Sequence, residues 1–126
     1  MSKHILYGRG SVRPYLYGKL DLPDFVREVF GAKEIERIRS GSGFHIEAQI
    51  GDSMIVIEAG ESFPPGAKVT QNSTYVYVAD VDAAYQRALK MGATSIAPPE
   101  DKPYKERGCG VKDSFGNTWW IATYTG

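Results

Sequence analysis

The side chains able to do chemistry are few. The 126-residue chain holds two histidines, His4 and His45, and one cysteine, Cys109. Cys109 lies between Gly108 and Gly110. A thiolate nucleophile needs a base or cation beside it, and the sequence places neither histidine there. A small apolar residue in a strand is the simpler reading. His45 and Glu47 stand two apart on one predicted strand face, and with Glu58 they are the residues from which an unusual metal or proton-transfer site would be built. The same alternation equally describes the solvated polar face of an edge hairpin, and that reading is preferred. Outside this set an acid or base would be Tyr15 or Tyr75, and spacing selects neither, so no catalytic residue is assigned.

The elements that must position these residues read clearly. Ser11 to Tyr17 is a predicted strand after a Gly-Arg-Gly turn. Asp21 is a predicted N-cap, with proline in the first turn, and Phe25, Val26, Val29 and Phe30 follow at helical spacing until Gly31. Residues 33–38 and 44–50 are predicted strands around a Ser-Gly-Ser-Gly turn. Gly51-Asp52 is a hairpin signal before a return strand over 54–57. Residues 59–72 read as a linker. A second strand (74–79), a helix capped by Asp80 and closed by Gly92, and strands at 93–97, 108–112 and 119–124 complete the chain. A proline-rich loop begins at Pro98. Matching features recur about 60 residues apart, which reads as an internal duplication. One domain is expected, with module 1 at about 9–58 and module 2 at about 73–126.

Fifteen Lys and Arg balance fifteen Asp and Glu, which argues against nucleic acid as a partner. One cysteine fits a reducing compartment. No stretch approaches the roughly 20 apolar residues of a membrane span, and the first eight residues are too soon broken by glycine for a signal peptide. A cytoplasmic protein without membrane contact is expected.

Three segments carry a family resemblance. Val111-Lys112-Asp113-Ser114-Phe115-Gly116-Asn117-Thr118-Trp119-Trp120-Ile121 resembles the Asp-Pro-x-Gly-Asn turn and last strand of the vicinal oxygen chelate superfamily, the glyoxalase/bleomycin-resistance/dioxygenase group, with Ser114 where proline is usual. Phe25-Val26-Arg27-Glu28-Val29-Phe30-Gly31-Ala32 resembles its first helix, and Val78-Ala79-Asp80-Val81-Asp82-Ala83-Ala84 the start of its second. The resemblance implies an α+β fold of two βαβββ modules curved around a cleft, and a homodimer. It does not imply one reaction. Its metal-dependent members place ligands at four strand positions, which fall here on Arg13, Ile55, Ser73 and Trp120. None of these is an ordinary metal ligand, so no metal and no cofactor is expected.

By strand alternation the face that carries ligand in the family would also hold Tyr15, Tyr17, Tyr75 and Tyr77. The expected site is an aromatic cleft formed by Arg13, Tyr15, Tyr75, Tyr77 and Trp120, covered by a loop carrying Tyr104 and Arg107. The expected function is metal-independent binding of a planar or aromatic small molecule. The alternative is a glyoxalase- or dioxygenase-like enzyme with an atypical or absent metal site.

Overall fold

The computed structural model describes residues 3–126. Strand β1 (Tyr15–Gly18), helix α1 (Leu22–Phe30) and strands β2 (Lys33–Ser40), β3 (Gly43–Ile50) and β4 (Ser53–Ala59) form the first unit. Strand β5 (Ser73–Tyr77), helix α2 (Val81–Lys90) and strands β6 (Thr94–Lys102), β7 (Glu106–Lys112) and β8 (Thr118–Tyr124) form the second. The sheet orders are β1-β4-β3-β2 and β5-β8-β7-β6. In each, the first strand runs parallel to the last and the other pairs are antiparallel. This is the α+β architecture expected from the sequence.

One face of each sheet is covered and the other is open. Leu16, Ile46, Ala48, Ile55 and Ile57 from the first sheet share a core with Val76, Cys109, Val111, Trp119 and Ile121 from the second. The apolar faces of both helices complete it through Phe25, Val26 and Val29 and through Val81, Ala84 and Ala88. Trp119 ties the units together, its ring 5.9 Å from Phe25 and 5.1 Å from Phe30 of α1. Arg87 of α2 donates to the Val29 carbonyl at 2.8 Å, placing a cation at the C-terminal end of α1, where its dipole favours one.

The Asp113–Asn117 turn is the polar counterpart of that tie. Asp113 Oδ1 accepts from the backbone N–H groups of Phe115 and Asn117, and Oδ2 accepts from Asn117 Nδ2 and Trp119 Nε1. Asn117 is fully buried. Its Nδ2 also donates to the Tyr17 carbonyl of β1 at 2.7 Å, and its Oδ1 accepts from the Asn72 backbone N–H at 2.8 Å. A buried amide that satisfies partners from both units fixes how they meet. Gly116 sits at φ 97°, which the turn requires and an L side chain resists.

Two local expectations change and one holds. Asp21 has helical φ/ψ and makes no side-chain cap bond; its carboxylate instead accepts from Ser114 Oγ at 2.7 Å. Asp80 does cap its helix, accepting from the Ala83 N–H at 3.1 Å. The segment read as a proline-rich loop is largely strand: β6 runs through Pro98 and Pro99 with register shifts between Ser95 and Glu100. It is an edge strand, where missing N–H donors and bulges are tolerated. Among the described residues no helix is long and apolar enough to cross a membrane.

Candidate functional site

The open faces follow from the ladder registers. On the first sheet Tyr15 pairs with Val56 and Tyr17 with Glu58, while His45 pairs with Glu58 and Glu47 with Val56. Side chains of directly paired residues share a face, so Tyr15, Tyr17, His45, Glu47 and Glu58 all point to the open side. Ile55 points the other way into the core, at 3% exposure; the open-side positions of β4 are therefore Met54, Val56 and Glu58. Strand β3 lies inside the sheet, not at an edge. The polar face preferred as a solvated hairpin surface is instead a hydrogen-bonded cluster.

In that cluster His45 Nδ1 is 2.7 Å from Glu58 Oε1 and Nε2 is 2.8 Å from Glu47 Oε2. Tyr15 OH donates to Glu58 at 3.0 Å, and Arg13 Nη1 donates to Glu47 Oε1 at 2.7 Å. Burial alone would depress the His45 pKa, but the hydrogen bonds and charges of Glu58 and Glu47 outweigh it and hold it above the ordinary histidine value. Burial, with the adjoining Glu58, pushes the Tyr15 hydroxyl up to about 12. Arg13 also donates to the Gly10, Leu6 and Arg9 carbonyls, so its donors clamp the chain before β1. The cluster is balanced and internally satisfied.

On the second sheet Tyr75 pairs with Trp120 and Tyr77 with Ala122, across from Gly110 and Gly108 of β7. The two glycines and Ala122 leave a trough walled by aromatic rings. A Cβ at Gly110 would stand 2.5 Å from Trp120 Cζ3, so glycine lets the indole lie against the strand. Trp120 Nε1 donates to Ser73 Oγ at 3.1 Å, which fixes the ring while leaving it 37% exposed. Tyr75 and Tyr77 meet edge to face at 5.5 Å. Their hydroxyls each donate to one oxygen of Glu106, an acceptor role that holds its carboxyl below the usual range. Tyr75, Ala97, Lys102, Tyr104, Gly108 and Trp120 line a cavity of about 340 Å³ here.

The structure thus divides the sequence-predicted residues. Tyr75, Tyr104 and Trp120 line the trough, and Tyr77 stands beside Tyr75 with its hydroxyl on Glu106. Tyr15 and Arg13 belong to the charged cluster on the other sheet. Arg107 lies on the helix-facing side, bound through Nε and Nη2 to Asp82 of α2 at 2.8 and 3.1 Å and through Nη1 to Asp101 at 3.3 Å. Glu106 and Lys102 were missed. The signal for Glu106 was its place two residues before Gly108 on one strand face. Cys109 is 4% exposed, and burial pushes its thiol up to about 11. A larger cavity, about 590 Å³, lies beside the free edge of β5 and the end of α1, with Tyr75 and Tyr77 also in its lining.

A family model, the Glyoxalase/Bleomycin resistance protein/Dioxygenase superfamily, matches residues 23–121, and the chain belongs to that family. It is 34% identical to the curated uncharacterized protein Mb0911c of Mycobacterium bovis, covering 76% of this chain and 70% of that protein. It is also 34% identical to Rv0887c of Mycobacterium tuberculosis, of which it spans 62%. Among solved structures it resembles TioX from Micromonospora sp. ML1 (TM-score 0.68, 23% identity, 90% of this chain and 95% of that one). It likewise resembles the fosfomycin resistance protein FosX from Mesorhizobium loti (TM-score 0.62, 22% identity, 91% and 92%).

The positions at which the family resemblance would place metal ligands carry no ordinary ligand set. Arg13 is cationic and committed, Ile55 faces the core, and Ser73 accepts from Trp120. The open-side carboxylates pair with His45, Arg13 and tyrosine hydroxyls instead of converging on one point. Among the described residues no group of three His, Cys, Asp or Glu is arranged for a cation.

Proposed function

We propose that this protein binds a planar or aromatic small molecule in the trough of the second sheet, without a metal. The observation that carries this reading is the half-open indole of Trp120, held by Ser73 against a glycine floor and faced by Tyr75 and Tyr104. A cavity of about 340 Å³ lies within the range of small-molecule pockets. Flat rings offered by side chains with few rotors bind flat ligands at low entropic cost. Tyr15 and Arg13 support the neighbouring sheet in this reading, and Arg107 anchors β7 to α2. The protein acts as a cytoplasmic homodimer, an assembly that light scattering of the purified chain tests.

The test is titration with a panel of aromatic natural products, read by tryptophan fluorescence and calorimetry. Trp120→Ala abolishes or sharply weakens the observed binding while leaving the fold intact. If Trp120→Ala leaves every affinity unchanged, the trough is not the site. The alternative, an enzyme of the glyoxalase or dioxygenase type, requires a metal with an open position. One stoichiometric divalent ion in protein purified without chelator would favour that alternative.

A further inference from the structure

The trough borders a charge that no described residue neutralises. Glu106 is buried to 8% exposure on the open side. Its partners are two neutral tyrosine hydroxyls, and among the described residues no Lys, Arg or His forms an ion pair with it. Of the nearby cations, Lys102 and Arg107 are committed elsewhere, and Lys105, next to Glu106 in the chain, forms no ion pair with it. Lys102, which lines the same cavity, holds Glu100 at 2.6 Å, and Arg107 is turned away to Asp82 and Asp101. A carboxylate without a counter-ion is stabilised by a cation brought to it, and the faces of tyrosine and tryptophan rings attract the same charge.

Resting on the aromatic reading of the trough, we infer that its ligand carries a positive charge, a protonated or quaternary amine within or beside its planar ring. The ring stacks on Trp120 and Tyr75, and the charge lies toward Tyr77 and Glu106. The two hydroxyls aim the carboxylate and occupy one acceptor position on each oxygen, leaving further lone pairs for an N–H donor. A quaternary group is served by the rings and the field alone.

A matched pair of probes separates charge from stacking: N-methylquinolinium, and quinoline, which is planar, of similar size and neutral at pH 7.5. Calorimetry gives affinity, and the Trp120 indole N–H signal in NMR reports location. N-methylquinolinium binds at least tenfold tighter than quinoline, with both shifting the Trp120 signal. Glu106→Gln removes that preference, and Trp120→Ala weakens both probes. Raising salt weakens N-methylquinolinium and spares quinoline, a readout on the unaltered protein that stands if Glu106→Gln fails to fold. Equal affinities with both probes at Trp120, or tighter binding of quinoline, overturn the charge inference and leave the aromatic reading standing. Absence of binding by both probes, with no change at Trp120, overturns both.

Discussion

His45 offers a sharp test of the charged cluster, because its two ring nitrogens join two carboxylates that would otherwise face each other across a sheet. His45→Gln keeps much of the side-chain volume and removes the positive charge. The lost contacts are hydrogen bonds of 2.7 Å to Glu58 and 2.8 Å to Glu47. Bonds to charged groups contribute about 1.5–3 kcal/mol each. The imidazole is 31% exposed, which places both at the low end, and the glutamine amide restores one neutral bond of about 1 kcal/mol. The net cost is about 2 kcal/mol. Its pH dependence follows from the direction of the shift. The folded pKa lies above the unfolded value of about 6.5, so the stabilisation is complete below about pH 6.5 and is lost as pH rises through the folded pKa. Urea unfolding of both proteins at pH 6.0, 7.5 and 9.0 measures this. The stability gap is largest at pH 6.0 and narrows upward. A gap that is constant or widens with pH would show that the imidazolium is not what holds Glu47 and Glu58 together.

Three further outcomes are expected. Asn117→Ala orphans the Tyr17 carbonyl and the Asn72 N–H and destabilises the protein by about 3 kcal/mol in urea unfolding, at roughly 1–3 kcal/mol per unsatisfied buried group. Cys109, buried with its thiol near 11, reacts with a disulfide reagent at pH 8 only as fast as the protein opens; rapid stoichiometric labelling under native conditions would contradict its placement. Arg13→Ala frees the Leu6–Gly10 segment from its three carbonyl contacts, and amide exchange there rises while exchange in β8 is unchanged.

Periodicity and turn chemistry made the architecture legible, because Gly31, Asp80 and the Gly116-Asn117 turn are local signals whose meaning survives in the fold. Register was harder. Strand alternation tells which residues share a face, but not which face is covered, and β4 is apolar on both sides from Met54 to Ile57. Ile55 was therefore placed on the open side, and Glu58 was left outside the cleft. The aromatic face of β5 and β8 was legible because Tyr75, Tyr77 and Trp120 alternate with buried neighbours and stand on the open side in the structure. The commitments of Arg13 and Arg107 were not, since their partners lie 34 and 25 residues away, and only the tertiary structure brings them together.

The duplication shows how the two sheets come to differ in charge on their open faces. Both units present a tyrosine pair from their first strand to the open side, Tyr15 with Tyr17 at 5.4 Å and Tyr75 with Tyr77 at 5.5 Å. Both give tyrosine hydroxyls a carboxylate to bind, Glu58 in the first and Glu106 in the second. The difference is the counter-charge. In the first unit His45 and Arg13 neutralise Glu58 and Glu47 from within the chain. In the second, Gly108 and Gly110 stand on the open side of β7, where the other sheet's neighbouring strand offers His45 and Glu47. Those glycines contribute neither a charge nor bulk. The same two glycines that leave the trough's floor without side chains supply no charge to Glu106, whose partners are tyrosine hydroxyls alone, so the shape and the charge of this face have a common origin in two residues.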